Sequence, residues 1–292
     1  MLLFEWSEFI EKVKNFFKER GYIEVHTPIL QSYPNIDAYV EPFSLDLGGS
    51  CPERLWLRTS PENSMKKILS KYKRDIFEIG KVFRKDPCGR LHRPEFTMLE
   101  WYKVGKDYKY LIEELGELLR YLGISNTYKT MRLEHAFEEY AGVILSEDEE
   151  VFKNNLISYG YPFDDKEDWE SLFFRIYVEV EKHLGKDEPV FITHFPKRLS
   201  AYAKVKEGYA ERIELYIKGI EIANGWTEEV SKEEIKRRME LYKQGRDLPL
   251  DEELLRAYED FPECAGCSVG LERLFLVYKG LSSFEELEFL GV

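Results

Sequence analysis

Three segments of the sequence concentrate residue types that bind charged ligands. Residues 21–28 end in a proline, residues 83–102 combine arginines, acids, a histidine and aromatic residues, and residues 268–273 read Ser-Val-Gly-Leu-Glu-Arg. A planar, permanently charged guanidinium can form two hydrogen bonds with phosphate oxygens, and a buried ammonium group requires carboxylate partners. These residue types are therefore suited to holding phosphates and amines.

Glu214 and Glu221 flank a turn predicted at Lys218-Gly219. In a simple hairpin register they lie diagonally on one face, close enough to share a divalent ion. Carboxylates and phosphate oxygens form the usual hard-oxygen site for Mg2+, so we expect both to be magnesium ligands; the alternative is two exposed glutamates on an acidic protein. The same register puts Asn224 on the opposite face, so either the strand is irregular or the pairing differs.

The three segments resemble, in chain order, motifs 1, 2 and 3 of class II aminoacyl-tRNA synthetases, and residues 83–102 resemble the lysyl subgroup in particular. Residues 59–62 and 212–228 are also similar to lysyl-tRNA synthetase elements, so the resemblance extends from Trp6 to Gly280. It leaves no room for the anticodon-binding domain that precedes this core in lysyl-tRNA synthetases. The chain most resembles the free-standing ligases that attach lysine to elongation factor P, and we expect one catalytic domain over residues 1–292.

The resemblance implies a site for ATP and an adenylation reaction, in which the substrate carboxylate attacks the α-phosphorus in line and pyrophosphate leaves. By resemblance Arg84 holds the α-phosphate and Arg273 the γ-phosphate, whereas surface ion pairs are the alternative for either residue. Phe96 is expected to stack on adenine, Asp86 to bind near the exocyclic amine and His92 to approach the phosphates. Asp86 stands where the family usually has Glu, which shortens its reach.

A lysine-type substrate carries two amines, which require carboxylate partners when they are buried. By resemblance Glu62, Glu100 and Glu228 line the substrate pocket together with Tyr102 and Asn224. A solvated surface is the ordinary location for any single glutamate. Three glutamates at family positions favour a pocket.

Ser268 stands where lysyl-tRNA synthetases have Gly. A side chain here fills space beside the α-amino group, which favours an altered substrate such as (R)-β-lysine. The alternative is a structural role, in which the residue is small because another part of the backbone comes close to it.

The elements that position these residues are predicted from periodicity and composition. Apolar residues at helical spacing predict a helix over about 5–20 with a stop at Gly21, and alternating β-rich segments predict strands. Strands joined by hairpins with helices outside indicate an α+β fold, the class II synthetase catalytic domain with an antiparallel sheet flanked by helices. The further predicted helices are 111–122, a mostly helical insertion at about 130–185, 231–245, 251–259 and 271–279; the predicted strands are 22–25, 54–58, 75–84, 95–104, 190–193, 212–217, 220–225 and 265–270.

The net charge of -13 argues against a stable nucleic acid partner, because phosphate contacts need clustered Lys and Arg. The sequence contains no stretch of eighteen apolar residues, and its amphipathic start is unlike an export signal, so we expect a cytoplasmic protein without membrane contact.

Four cysteines, Cys51, Cys88, Cys264 and Cys267, are too few for a disulfide scaffold. The spacing of Cys264 and Cys267 matches half a zinc site, but small buried residues are the preferred interpretation.

Three functions remain open. The first is a ligase that transfers an activated lysyl group from AMP to the ε-amine of a lysine on elongation factor P. The second is a truncated lysyl-tRNA synthetase-like enzyme that acylates tRNA, and the third is a non-catalytic paralogue that senses lysine or ATP. By family resemblance we also expect a homodimer formed through motif 1.

Overall fold

A computed structural model describes residues 2–49, 53–164 and 166–287. Cys51 lies outside the described residues. The helices are α1 (Leu2–Glu19), α2 (Glu62–Tyr72), α3 (Tyr108–Tyr121), α4 (Leu133–Ala141), α5 (Glu149–Ser158), α6 (Trp169–Glu181), α7 (Lys232–Tyr242), α8 (Glu252–Ala257) and α9 (Leu271–Lys279), with 3-10 turns at Lys197–Leu199, Tyr258–Asp260 and Phe284–Glu286. The strands are β1 (Ile23–Glu24), β2 (Leu30–Gln31), β3 (Ser44–Asp46), β4 (Arg54–Leu57), β5 (Ile76–Phe83), β6 (Glu95–Val104), β7 (Lys129–Arg132), β8 (Val190–Pro196), β9 (Val205–Lys206), β10 (Tyr209–Ile217), β11 (Ile220–Thr227) and β12 (Cys264–Gly270).

The main sheet has the order β1-β5-β6-β12-β11-β10-β8-β7, and β9 pairs with β10. The pairs from β5 to β8 are antiparallel, while β1 and β7 add parallel edges. Helices flank this sheet, which confirms the predicted α+β class. The predicted strand at 54–58 is present as β4, but it belongs to a separate three-stranded sheet of order β2-β4-β3.

The first helix packs on one face of the main sheet. Phe9, Val13, Phe16 and Phe17 recur at helical spacing and are all buried, with Phe17 stacked on Phe77 of β5. The helix ends before Gly21, whose φ of 79° is in the left-handed region that glycine adopts readily. The predicted helix and its glycine stop are confirmed.

The other face of β6 is free for ligands because strand residues alternate between faces. Leu99 and Trp101 belong to the hydrophobic core beneath α1, α3 and α9. Met98, Glu100 and Tyr102 point the other way and line a cavity. The alternation therefore gives this strand one apolar face and one face suited to charged ligands.

Two parts of the chain differ from the sequence prediction. Helix α2 was not predicted, because its buried residues include Asn63 and Lys66 and the apolar stripe is short. The segment predicted as a mostly helical insertion contains α4, α5 and α6 but begins with strand β7, which pairs in parallel with β8. The segment therefore also contributes the last strand of the sheet.

The hairpin of β10 and β11 contains a register shift. Leu215 pairs with Ala223, but Tyr216 pairs with Glu221, so Ile222 is an extra residue without a partner. The simple register was therefore wrong, and the irregular strand was the correct alternative. The bulge lets Glu221 and Asn224 both face the cavity although they are three positions apart.

Within the described ranges, no helix combines the length and the apolar character needed to cross a membrane.

Candidate active site

Two adjoining cavities lie on the open face of the main sheet, with volumes of about 540 Å³ and 210 Å³. They share Arg84, Glu221, Asn224 and Ser268 as walls. Of the remaining predicted site residues, the larger cavity is lined by Glu62, Glu100, Tyr102, Glu214 and Glu228, and the smaller by Asp86, His92, Phe96 and Arg273. The structure therefore brings all the predicted site residues together.

A row of four residues crosses the sheet beneath the cavities. Glu100 of β6 is opposite Ser268 of β12, Ser268 is opposite Asn224 of β11, and Asn224 is opposite Glu214 of β10. Directly opposed residues in antiparallel strands share a face. The row therefore runs from one predicted amine ligand to one predicted magnesium ligand.

Arg84 follows β5 and stands at the junction of the two cavities. Its Nε donates to the Thr59 carbonyl oxygen at 3.2 Å, and its guanidinium lies 5.3 Å from the centre of the Phe96 ring. These contacts fix the stem of the arginine and its orientation on the aromatic face. A guanidinium held in this way can receive a phosphate from the smaller cavity and a carboxylate from the larger one.

Arg273 in α9 lies in the smaller cavity, where α9 begins directly after β12. Its Nη1 donates to the Glu221 carbonyl oxygen at 3.0 Å and lies 3.4 Å from Glu221 Oε2, and its Nη2 is 2.8 Å from His92 Nε2. Burial and then the positive charge of Arg273 lower the pKa of His92. A neutral His92 can accept a hydrogen bond from the arginine, so the two groups form one polar wall.

Glu214 is buried and already fully hydrogen-bonded by the protein. Its Oε1 accepts from Arg212 Nη2 at 2.5 Å, and its Oε2 accepts from the hydroxyls of Tyr177 at 2.9 Å and Tyr216 at 2.8 Å. Burial raises the pKa of Glu214, while Arg212 acts in the opposite direction. The carboxylate is therefore fixed in position before any ligand binds.

Glu181 is a third carboxylate near this pair. Its Oε1 lies 2.7 Å from the Tyr216 hydroxyl, whose single proton can go to either Glu181 or Glu214, and burial, reinforced by Glu214 and Glu221, raises the pKa of Glu181 to about 7. In the part of the chain that the structure describes, no three His, Cys, Asp or Glu residues form a metal-binding group. Glu214 and Glu221 line the same cavity, and carboxylate oxygens are the protein ligands that Mg2+ takes beside phosphate and water.

Two of the three predicted amine ligands, Glu62 and Glu228, pair with a lysine of the protein itself. Lys66 Nζ lies 2.6 Å from Glu62 Oε1 and 2.8 Å from Glu228 Oε2. Burial acts to lower the pKa of Lys66, but the charges of Glu228 and Glu62 outweigh it and the pKa stays well above its usual range. Burial raises the pKa of Glu228 to about 7, although Lys66 opposes that shift. Lys66 therefore remains charged.

Glu100 and Tyr102 form a second buried pair. The Tyr102 hydroxyl donates to Glu100 Oε1 at 2.8 Å, and burial together with Glu62 raises the pKa of Glu100 well above its usual range. A side chain at Gly266 would place its Cβ 2.4 Å from the Tyr102 ring, so glycine is required for this close approach. Tyr102 is thereby held against β12 with its hydroxyl toward Glu100.

Several residues that line the larger cavity, or pair with residues lining it, were not predicted from the sequence. Lys66 stands four residues after Glu62, and recognition of α2 would have placed both on one face. Arg212 begins one of the segments that resemble lysyl-tRNA synthetases, but no role was assigned to it. Asp37 and Glu181 line the larger cavity without any spacing that would have identified them.

The two closely spaced cysteines lie on opposite faces of β12. Cys264 packs in a cluster with Met65 and Leu69, whereas Cys267 belongs to the core beneath α1. Cys88, Cys264 and Cys267 are free thiols. The geometry agrees with the interpretation of Cys264 and Cys267 as small buried residues.

Comparison with known proteins gives a consistent result. The family model described as "tRNA synthetases class II (D, K and N)" matches residues 3–290. A protein of Aquifex aeolicus named elongation factor P–(R)-β-lysine ligase homolog is 52% identical over 280 residues, which is 96% of each chain. Proteins named elongation factor P–(R)-β-lysine ligase are 37% identical in Avibacterium paragallinarum, over 96% of this chain and 92% of theirs, and 35% identical in Haemophilus influenzae, over 93% and 88%.

Proposed function

This chain belongs to the class II tRNA synthetase family of D, K and N enzymes, and from that premise we propose that it activates a lysine-type amino acid with ATP and transfers it to elongation factor P. The acceptor is the ε-amine of a lysine on that protein, and the product is an amide. The names and the near full-length coverage of the relatives support this acceptor.

One observation carries the proposal. A cavity lined by arginines and an aromatic residue adjoins a cavity lined by carboxylates, and Arg84 forms part of both walls. The arginines Arg84 and Arg273 are suited to a triphosphate, and Glu62, Glu100 and Glu228 are suited to ammonium groups. A carboxylate at the shared wall would lie beside the phosphate that it attacks.

In the first step we propose that the substrate carboxylate oxygen bonds to the α-phosphorus while the bond from that phosphorus to pyrophosphate breaks. Negative charge develops on the phosphate oxygens, and Arg84 and Arg273 supply donors for it. Phe96 stacks on adenine, Asp86 binds near its exocyclic amine, and His92 accepts from Arg273. The protein forms no covalent bond in this step.

In the second step the neutral acceptor amine attacks the carbonyl carbon of the adenylate. The new C–N bond forms, the bond between that carbon and the AMP oxygen breaks with AMP as the leaving group, and the amine loses one proton to water. Burial of the substrate ammonium groups among carboxylates leaves only the carbonyl within reach of the acceptor. Neither step requires a nucleophilic residue of the protein.

We assign Glu214 and Glu221 as the residues that would hold Mg2+ together with the nucleotide phosphates. The ion would neutralise phosphate charge and hold the leaving pyrophosphate. The hydrogen bonds from Arg212, Tyr177 and Tyr216 hold the Glu214 carboxylate in place, so little rearrangement is needed when nucleotide and metal bind together.

We propose (R)-β-lysine as the preferred substrate and α-lysine as the poorer one. The names of the relatives support the β-isomer. Ser268 supports it as well, because its side chain occupies space between Glu100 and Asn224 at the centre of the row described above.

Incubation of the enzyme with ATP and labelled (R)-β-lysine or α-lysine, together with either elongation factor P or tRNA, tests the proposal. We expect amino-acid-dependent ATP–pyrophosphate exchange, and label on elongation factor P as a mass increase of one lysyl group at a single lysine. Label on tRNA with none on the factor would instead establish the tRNA-acylating alternative. Absence of exchange with either amino acid would leave the non-catalytic alternative.

We also propose a homodimer formed through the motif 1 segment, without a stable nucleic acid partner, in the cytoplasm where its translation-factor substrate works. Ile23, Ile29 and Leu30 in and beside that segment are exposed, and apolar exposure of this kind is typical of an interface. Analytical ultracentrifugation should give twice the chain mass, and Ile29→Lys should shift the distribution to monomer.

A further inference from the structure

The segment between β2 and β3 forms one wall of the larger cavity, and hydrogen bonds from other elements hold it in place. Arg246 Nη2 donates to the Asp37 carbonyl oxygen at 2.5 Å, and Arg246 Nη1 donates to that of Val40 at 2.7 Å. The buried Tyr202 hydroxyl donates to the Ile36 carbonyl oxygen. The backbone on both sides of Asp37 is therefore fixed although it forms no helix or strand.

The Asp37 carboxylate lines the larger cavity beside Glu62 and Arg84. Among the described residues no donor hydrogen-bonds to it, whereas its main-chain carbonyl is bonded by Arg246. Burial, and then the negative charge of Glu62, raise its pKa to about 6 despite the opposing charges of Arg84 and Lys66. The side chain is half-buried, so its carboxylate has lost part of its hydration without gaining a protein partner and is available to a cation that enters the cavity.

The other carboxylates of this cavity already have partners in the protein. Lys66 Nζ is shared by Glu62 and Glu228, and Glu100 accepts from Tyr102. A diamino acid brings two ammonium groups, and each needs a negative or polar partner once it leaves water. Glu228 has no hydrogen-bond donor either, but it is paired with Lys66. Among the described carboxylates of this cavity, Asp37 is the one with neither an ion pair nor a hydrogen-bond donor.

We infer that Asp37 is a specificity-determining residue, whose carboxylate binds the substrate ammonium group nearest to the reacting carboxylate. The position fits because Asp37 interacts electrostatically both with Glu62, in the amine pocket, and with Arg84, where the carboxylate meets the phosphate. The inference rests on the proposed function. It assigns diamino acids as the substrate class. It also distinguishes them from carboxylic acids of the same length that carry only the terminal amine.

The test compares Asp37→Asn with the wild type on ligands that differ by one amine. The KM for (R)-β-lysine and for α-lysine in ATP–pyrophosphate exchange should rise about 10- to 100-fold, the usual effect of losing a hydrogen bond to a charged group. The inhibition constant of ε-aminocaproate, which lacks the second amine, should stay within about twofold, as should the KM for ATP. Asp37→Glu, which keeps the charge, should recover part of the loss.

Glu41→Gln is the matched control, because Glu41 is exposed nearby and pairs with Lys85 at the surface; it should leave every constant unchanged. Equal weakening of the diamino acids and ε-aminocaproate by Asp37→Asn, or no weakening at all, would overturn the inference. The proposed function fails separately, and this inference with it, if the wild type shows no exchange with either diamino acid. Melting temperatures measured on all variants show whether the fold is retained. If Asp37→Asn unfolds, the same constants are measured on Asp37→Glu instead.

Discussion

Ser268 of β12 lies directly opposite Glu100 of β6, and on its other side it lies opposite Asn224. Its hydroxyl is 3.4 Å from the Asn224 carbonyl oxygen. The side chain is half-buried and projects into both cavities at their junction. Its volume therefore limits how close an amino acid can come to the backbone of β12.

We predict that Ser268→Gly improves the use of α-lysine. Removal of the side chain opens space for an α-amino group, so kcat/KM for α-lysine should rise by about three- to tenfold relative to (R)-β-lysine, a difference of about 1 kcal/mol. Exchange assays with each amino acid measure the ratio, and the KM for ATP serves as the internal control. An unchanged ratio would remove Ser268 from substrate selection.

Arg273→Ala should abolish adenylate formation and leave the fold intact. Among the residues that the structure describes, the guanidinium hydrogen-bonds with the Leu91 and Glu221 carbonyl oxygens, the Glu221 carboxylate and His92, and it faces the smaller cavity. Loss of one phosphate-stabilising donor group should lower exchange at least about 100-fold.

The control for that variant is Arg237→Ala, since Arg237 is exposed on α7 and pairs only with Glu234. It should retain full activity. Undiminished exchange in Arg273→Ala, with circular dichroism and melting unchanged in both variants, would refute the assignment of Arg273 to the triphosphate.

Lys66→Met should destabilise the protein more than any surface lysine substitution. It would leave Glu62 and Glu228 close together without a counter-ion in a buried site, and breaking such a pair from one side costs about 3–5 kcal/mol. Urea unfolding measures the change. Lys71→Met, on the exposed side of the same helix, should change the free energy of unfolding by less than about 0.5 kcal/mol.

A second substitution separates charge from packing in that result. Glu228→Gln in the Lys66→Met background should recover part of the lost stability, because one of the two uncompensated charges is removed. If the double variant is no more stable than the single one, the loss comes from packing of the lysine stem.

Glu181→Gln should stabilise the protein at alkaline pH. The pKa of Glu181 is about 7 in the folded chain against an ordinary 4.5. The folded state therefore binds the proton more tightly, so this group's contribution to stability is complete below pH 4.5 and is lost as the pH rises through 7.

The neutral amide avoids that loss. At pH 8 the variant should exceed the wild type by about 2 kcal/mol in free energy of unfolding, and the difference should shrink toward pH 5. Melting in magnesium-free buffer at both pH values tests this, with Glu179→Gln as control because Glu179 is exposed on the same helix. A difference that does not change with pH would contradict the raised pKa.

The sequence was sufficient to predict the elements with a clear periodicity or composition. Glu95–Val104 was predicted with both bounds as observed, from its aromatic and β-branched composition and from the loop at Pro87-Cys-Gly89 that precedes it. The predicted site residues could be named because they lie within segments similar to a known family, and all of them line the two cavities.

What the sequence could not supply depends on tertiary contacts. Asp37 sits in an irregular segment whose position is set by Arg246, a residue far away in the chain. Helix α2 starts after Pro61 and buries Lys66, and no local pattern indicates that a lysine will be enclosed by glutamates from two elements. The hydrogen bond that Tyr177 of α6 donates to Glu214 joins residues 37 positions apart, and no local spacing indicates it, whereas Arg212 and Tyr216 are two positions from Glu214 on the same face of β10.

The unpaired Ile222 has a consequence for how this site tolerates change. Side chains on a strand change sides at every position, so the extra residue keeps Glu221, a proposed magnesium ligand, on the same face as Asn224, a proposed amino-acid ligand. The alignment of the two substrates thus depends on the number of residues in β11 as well as on their identity. Substitutions along β11 can adjust the preference for one substrate over another. Deletion of one residue would turn the Glu221 carboxylate away from the proposed nucleotide site, although all the proposed catalytic side chains would still be present.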